Sequence, residues 1–203
     1  MTPRTLVVIT AGLSQPSSTR LLADRLSTAT VAHAAALDLD VQVRVVELRD
    51  LAHDLMNHML TGFPPESLRQ VLEAVESSDG LIAVTPMFHA SYSGLFKSFF
   101  DVLDKDALAG KPVLLAATGG TARHSLALEH AVRPMFAYLR AATVPTPVFA
   151  APEDWGGAEA DGHLRQRIDQ AAAELAAELA SREPAQLSDP FALTTSFEDL
   201  LAG

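Results

Sequence analysis

Five short runs of apolar residues recur along the chain, each bounded by residues that favour turns. They span residues 5–10, 41–47, 80–85, 112–118 and 143–150. Such runs favour strands buried on both faces of a parallel sheet over half-exposed antiparallel strands. Between them lie segments with helical spacing of apolar residues, at 17–36, 65–78, 92–104, 123–141 and 158–182. Five strands alternating with five helices predict a doubly wound α/β fold with helices on both faces of the sheet.

No linker separates two domains, so the pattern predicts one domain over residues 1–182. Ser17 or Ser18 is placed to cap the first helix, which begins directly after the first strand. Residues 183–203 contain Pro184 and Pro190 and end in a short apolar segment. We therefore predict that they form an extended C-terminal tail.

Composition limits the chemistry. The 203 residues include no cysteine, which excludes disulfides, thiol nucleophiles, cysteine-zinc sites and iron–sulfur clusters. Any redox chemistry must come from a bound cofactor. The net charge of −10 argues against a nucleic-acid partner. The chain shows neither a signal-peptide core nor an apolar run of about 20 residues, so we expect no membrane association and a cytoplasmic location.

The loop after the first strand is rich in hydroxyl groups and opens directly into a helix. In an open parallel α/β sheet, ligands bind at the carboxyl ends of the strands. The N–H groups and positive dipole end of a helix N-terminus favour phosphate. The loop lacks both the P-loop and the Gly-x-Gly-x-x-Gly pattern, so it favours a monophosphate over a triphosphate or pyrophosphate. Its candidate ligands are Ser14, Ser17, Ser18 and Thr19.

The loop after the third strand offers a flat apolar surface suited to a planar aromatic ring. Its candidate residues are Pro86, Met87, Phe88, His89 and Ser91. Met87 and Phe88 have an alternative interpretation as core residues at the sheet edge. Further along, helical spacing places Phe96, Phe99 and Phe100 in the core or a subunit interface. Lys97 and Asp101, four residues apart, predict a structural ion pair.

The loop after the fourth strand carries Thr118, Gly119 and Gly120, where two glycines allow the backbone to approach a ligand closely. One phosphate loop and two ring-binding loops at neighbouring strand ends together indicate a flavin-type mononucleotide. Other chemistries fit poorly. No Gly-x-Ser-x-Gly nucleophile motif is present, and the histidine pairs lack metal-ligand spacing, so we expect no metal site.

Two segments carry a family resemblance. Residues 85–101, with Pro-x-x-x-x-Ser-Tyr-Ser-Gly, and 117–136, with Thr-Gly-Gly-Thr, resemble the NADPH-dependent FMN reductases. The similarity extends over about residues 4–180 and is greatest to the reductases that supply reduced flavin to alkanesulfonate and other luciferase-like monooxygenases. It implies a flavodoxin-like five-stranded parallel sheet of order 2-1-3-4-5, bound FMN, and NADPH or NADH as hydride donor.

Residue by residue, the resemblance places the FMN phosphate near Ser14, Ser17, Ser18 and Thr19. It places Pro86, Met87, Phe88, His89 and Ser91 along the ribityl chain and ring, and Thr118, Gly119 and Gly120 along the ring's other side. It implies no catalytic side chain, since the flavin performs the hydride transfer. It also implies a homodimer or homotetramer with a nicotinamide cleft shared between subunits, and a flavin-dependent monooxygenase that receives reduced FMN.

The chain departs from the family pattern at two positions. Many relatives carry an arginine in the first loop, where this chain has Ser14-Gln15-Pro16, so the phosphate would depend more on backbone and hydroxyl groups. In the sulfonate-linked relatives a tyrosine can occupy the position of His130 and distort the helix. Two other functions stay open: an FMN-containing quinone, azo or chromate reductase, and a flavodoxin-like electron carrier.

Overall fold

The computed structural model describes residues 2–155 and 158–185. The predicted tail, 183–203, lies outside the described residues beyond Ala185. The strands are β1 (Thr2–Thr10), β2 (Leu39–Glu47), β3 (Gly80–Phe88), β4 (Ser91–Tyr92), β5 (Pro112–Thr118), β6 (Ala142–Thr143) and β7 (Val148–Ala150). The α-helices are α1 (Ser18–Ala35), α2 (Ala52–Thr61), α3 (Glu66–Ser77), α4 (Gly94–Asp101), α5 (Arg133–Tyr138) and α6 (Ala158–Ser181).

The principal strands form a parallel sheet in the order β2-β1-β3-β5-β6. This confirms the predicted doubly wound fold and its strand order. The predicted fifth strand is divided, because β6 pairs with the start of β5 and β7 with its end. Pro145 and Pro147 lie between the two pieces, and proline has no N–H to donate to a sheet. With the short strand β4, the sheet has seven strands within the described residues, where five were predicted.

The helices differ from prediction at two places. Helix α2 was missed, although its leucines and methionines recur at helical spacing; Leu55 is its one fully buried side chain. The predicted continuous helix at 123–141 is broken into a 3-10 turn, Ala122–His124, a π-helix, Leu128–Val132, and α5. His130 lies inside the π-helix, so the distortion is present here with histidine where some relatives carry tyrosine.

Apolar side chains fill both faces of the sheet. Helices α1 and α6 cover one face, and their leucines and alanines pack on the even-numbered residues of β1 and β3. The other face packs on α3, α4 and the segment around Phe136. Phe96, Phe99 and Phe100 are buried as predicted, and the Phe96 and Phe100 ring centroids lie 4.7 Å apart. The predicted ion pair between Lys97 and Asp101 is also present.

Candidate functional site

The predicted loops converge at one edge of the sheet because β1, β3 and β5 run parallel. Two contacts tie them together. The Ala11 N–H donates to the Val84 carbonyl at 3.0 Å, which joins the ends of β1 and β3. The hydroxyl oxygens of Thr19 and Thr118 lie 2.8 Å apart, which joins the first turn of α1 to the end of β5. The three loops therefore form a single surface.

The first loop makes a tight cradle at the N-terminus of α1. A Cβ atom on Gly12 would lie 2.1 Å from the Ser17 Oγ, so a larger residue here would displace that hydroxyl. Ser17 caps the helix by accepting the Arg20 N–H. Helix geometry leaves the Ser18 and Thr19 N–H groups outside the intrahelical ladder. The cradle thus presents N–H donors and a positive dipole end, as an anion requires.

The four hydroxyl groups that the sequence predicts as phosphate ligands differ in whether they already have hydrogen-bond partners. Ser17 Oγ is used by the cap and Thr19 Oγ1 by its pairing with Thr118. Ser14 and Ser18 are exposed, so their hydroxyl groups are accessible to a ligand. Sequence reasoning missed the Thr10 hydroxyl at the end of β1, which is buried and has no partner within the described part of the chain. Such a group signals a missing ligand or water.

The nearby arginines differ in how far they are neutralised. Arg20 donates to Asp24 at 2.8 Å and Glu47 at 2.6 Å, and the hydrogen bond with Asp24 is the main reason its pKa is raised. Arg49, just after β2, donates from Nη1 to the Leu13 carbonyl at 3.4 Å and is 27% exposed; its Nε lies 3.4 Å from the Oδ1 atom of the exposed Asp50. Sequence reasoning missed Arg49. The signal was available, because the end of β2 lies beside the end of β1 in this sheet order.

The loop after β3 is a β-hairpin. Phe88 pairs with Ser91 across a two-residue turn formed by His89 and Ala90, with φ angles of 49° and 65°. Both residues are in the left-handed conformation, which Asn-Gly usually adopts in such turns. Phe88 is 46% exposed and His89 is exposed, so the hairpin presents an aromatic side chain and backbone at the site edge.

The base of the hairpin is fixed to the core. Met87 is buried in the core, in agreement with the alternative interpretation of that side chain. The Thr85 hydroxyl accepts the Ser93 N–H at 3.1 Å and donates to the Pro86 carbonyl at 3.0 Å. These bonds hold the backbone of the half-buried Pro86 and the start of α4 in one arrangement.

The loop after β5 approaches the site through its backbone. A Cβ atom on Gly119 would lie 2.7 Å from the ring of Phe149, and the Gly119 N–H donates to the Ala150 carbonyl at 3.1 Å. Gly120 has open space on its Cβ side. Gly119 is thus required by packing, while Gly120 leaves room for a ligand.

These features fit a flavin mononucleotide. The cradle in the first loop and the orphaned Thr10 hydroxyl suit a phosphate, while Phe88, His89, Gly119 and Gly120 border a surface suited to a flat ring. Within residues 2–155 and 158–185, no cluster of three or more His, Asp or Glu side chains is arranged to hold a metal ion. Among the helices that the structure describes, none has the length and apolarity to cross a membrane.

Comparison with known proteins places the chain among flavin reductases. The family model for NADPH-dependent FMN reductase matches residues 4–156. The chain is 39% identical to an NADH-dependent FMN reductase, SfnE, of Pseudomonas putida, over 74% of this chain and 78% of the relative. It is 39% identical to an FMN reductase (NADPH) of Pseudomonas aeruginosa, over 75% of this chain and 80% of the relative.

A solved structure has the same fold. An oxidoreductase of Corynebacterium diphtheriae superposes with a TM-score of 0.87 at 49% identity, covering 90% of this chain and 100% of that one. The converging loops and these similarities lead to one conclusion. The chain belongs to the NADPH-dependent FMN reductase family.

Proposed function

We propose that the protein uses NADPH or NADH to reduce FMN and releases the reduced flavin to a flavin-dependent monooxygenase. The main support for this proposal is the set of groups in the first loop, where the flavin phosphate would bind. The loop offers N–H groups and two exposed hydroxyls, while the arginine in its helix is neutralised by Asp24 and Glu47. A cradle of this kind suits a flavin that binds and leaves as a substrate does.

In this proposal, side chains and backbone groups of the protein bind the flavin and orient it. The Ser18 and Thr19 N–H groups hold the phosphate, with Ser14 and Ser18 adding hydroxyl donors, and Arg49 supplies a cation at the other side of the first loop. The His89 and Gly120 backbones would border the ring of bound FMN. Hydride-transfer chemistry would come from the flavin ring, so no acid–base side chain of the protein is required.

The nicotinamide cleft in this proposal is completed by a second copy of the chain, in a homodimer or homotetramer. Support comes from an apolar groove of about 390 Å³ between α4 and α5, which Tyr92, Phe100, Met135 and Tyr138 line. Tyr138 is 87% exposed, which is unusual for a large aromatic side chain on a free surface. We assign the activity to the cytoplasm, where NAD(P)H is produced.

Flavin retention and acceptor choice test this function. The purified protein is loaded with FMN, passed through a desalting column, and assayed for retained flavin. It is then assayed for NAD(P)H oxidation with free FMN or a quinone as acceptor. The proposal predicts loss of flavin on the column and faster turnover with FMN. Retained flavin with faster quinone turnover would favour the quinone or azo reductase, and retained flavin without NAD(P)H oxidation the electron carrier.

A further inference from the structure

Strand β2 forms one edge of the parallel sheet. Within the described residues it pairs with β1 alone, so no strand lies on its outer side. Gln42, Val43 and Arg44, at the middle of the strand, are exposed and line a surface groove of about 1070 Å³. The backbone N–H and C=O groups along a free sheet edge are a template for pairing with another strand.

The strand lacks most of the features by which proteins protect a sheet edge. It is nine residues long, and each residue pairs one to one with a residue of β1, so the strand has no bulge. It contains neither proline nor lysine. Short edge strands, bulges, prolines and lysines are common means of preventing edge pairing. A long and regular edge such as β2 therefore favours the addition of another strand.

One face of β2 carries two opposite charges that have no charged partner. Asp40, Gln42 and Arg44 alternate along the strand, so their side chains share a face, and all three are exposed. The Asp40 carboxylate has no hydrogen bond or ion pair within the described part of the chain. Arg44 donates to the Gln70 carbonyl at 3.3 Å and pairs with no carboxylate among the described residues. An acid and a base thus lie at equal distances on either side of Gln42.

Antiparallel pairing of two β2 strands around Gln42 would neutralise both charges. When Gln42 lies opposite Gln42 of a second copy, Asp40 of each copy lies opposite Arg44 of the other. Opposite charges directly across an antiparallel pair are stabilising, and like charges are destabilising. A register centred on Asp40 would place two carboxylates opposite each other, and one centred on Arg44 would place two guanidinium groups together. The charges therefore favour the register centred on Gln42.

The other face of β2 is complementary in the same register. Leu39, Val41 and Val45 pack against the core on the side of α1 and α6, whereas Val43, at the same face, is 37% exposed. With Gln42 at the centre, Val43 lies opposite Val41 of the second copy, and Leu39 lies opposite Val45. Cross-strand pairs of apolar and β-branched side chains stabilise a sheet. The pairing therefore covers the exposed Val43 side chain.

We infer that two copies of the chain join through antiparallel β2 edges, with Gln42 of each copy at the two-fold axis. The occupant of the edge is a second copy because the charged and apolar positions of β2 are complementary to themselves, as a two-fold interface requires. The contact is separate from the flavin site and from the groove between α4 and α5, so it does not depend on the proposed function.

The absence of cysteine makes a direct test of the register possible. Gln42→Cys places two thiols opposite each other, where Cβ atoms lie about 4.5–5.5 Å apart, close enough for a disulfide after small shifts. Mild oxidation should give a linked dimer on a non-reducing gel. Val43→Cys is the matched control, because its thiols would be diagonal neighbours about 7–8 Å apart and should link about tenfold more slowly.

Charge reversal tests the same contact without a new covalent bond. Asp40→Arg alone and Arg44→Asp alone each place like charges opposite each other, so either should halve the mass of the assembly measured by light scattering. The double variant, Asp40→Arg with Arg44→Asp, exchanges the charges and should restore the native mass. FMN-dependent oxidation of NAD(P)H, assayed on the same samples, shows separately whether the proposed function fails.

Three results would overturn the inference. The first is an assembly mass that neither single charge reversal changes. The second is a double variant that stays at half of the native mass. The third is linking of Val43→Cys as fast as that of Gln42→Cys, which would indicate random collision or a register centred on Val43.

Discussion

The hydroxyl oxygens of Thr19 and Thr118 lie 2.8 Å apart beneath the flavin cradle, and both side chains are buried. This bond joins the helix turn that presents the phosphate donors to the strand that leads into the glycine loop. The bond between Thr19 and Thr118 thereby fixes the distance between the loop proposed to bind the phosphate and the loop proposed to border the flavin ring.

Removing one partner of this bond should cost both stability and flavin affinity. Thr19→Val leaves the Thr118 hydroxyl buried without a partner, which should lower the free energy of unfolding by about 1–3 kcal/mol and raise the KM for FMN. Denaturant unfolding and steady-state kinetics measure the two effects. The double variant Thr19→Val with Thr118→Val should recover much of the stability, because neither hydroxyl remains; a purely additive loss would contradict this account.

Substitution of Arg49 should weaken only those interactions that the protein makes with the flavin phosphate. Arg49→Gln removes the cation beside the first loop, so the KM for FMN should rise about tenfold, equivalent to ~1.4 kcal/mol. Riboflavin lacks the phosphate, so its KM should stay unchanged. Arg69→Gln, on α3 between Glu66 and Glu73, is the matched control and should alter neither value. Equal effects of Arg49→Gln on both flavins would show that Arg49 acts elsewhere.

The two glycines after β5 should respond differently to substitution. A Cβ on Gly119 would lie 2.7 Å from the Phe149 ring, so Gly119→Ala should destabilise the fold by about 1–3 kcal/mol through overpacking. Gly120→Ala meets open space and should leave Tm unchanged. Adding Phe149→Leu to Gly119→Ala should restore part of the lost Tm. If both glycine variants melted alike, the packing explanation would be wrong.

Lys111 should make stability depend on pH. Its amine donates to the Glu76 carbonyl at 3.1 Å and to the Ser78 carbonyl, and burial lowers its pKa to about 8, against the opposing effects of Asp79 and Glu76. Between that value and the normal 10.5, the unfolded chain holds the proton that the folded chain has lost. Burial of the charged Lys111 amine therefore lowers the free energy of unfolding most below pH 8. This loss becomes smaller as pH rises and the buried amine gives up its proton.

Comparison with a variant isolates this effect. From pH 7 to 9.5 the native protein should gain about 2 kcal/mol of unfolding free energy relative to Lys111→Met. Lys105→Met changes an exposed lysine and should follow the native curve. Parallel curves for Lys111→Met and the native protein would contradict the assigned pKa direction.

Much of the fold was predictable, because the apolar runs mark buried parallel strands and parallel strands bring their carboxyl ends together. The same rule located the loops of Thr19, Phe88 and Gly119 at one edge of the sheet. The contact of Arg49 with Leu13 was not predicted, although the strand order was, because the loop after β2 had not been considered.

Other features arise from tertiary packing or unusual turns. The hairpin at His89 and Ala90 lacks the glycine or asparagine that signals such a turn, so the sequence predicted a plain loop before the helix that is present as α4. Helix α2 is a different case: Leu55, Met56, Met59 and Leu60 recur at helical spacing, so the helix was predictable, although only Leu55 is fully buried. Ser14 and Ser18 have exposed hydroxyl groups, whereas those of Ser17 and Thr19 already have hydrogen-bond partners. Only the contacts in the structure distinguish the two pairs.

The flavin site is tested most directly by the initial rate of NADPH and NADH oxidation as the FMN concentration is varied. We expect little oxidation without added FMN, a rate that saturates with FMN, and a KM for FMN that Arg49→Gln raises. Failure of FMN to increase the oxidation of either nucleotide, in a protein that is folded by circular dichroism, would contradict this expectation.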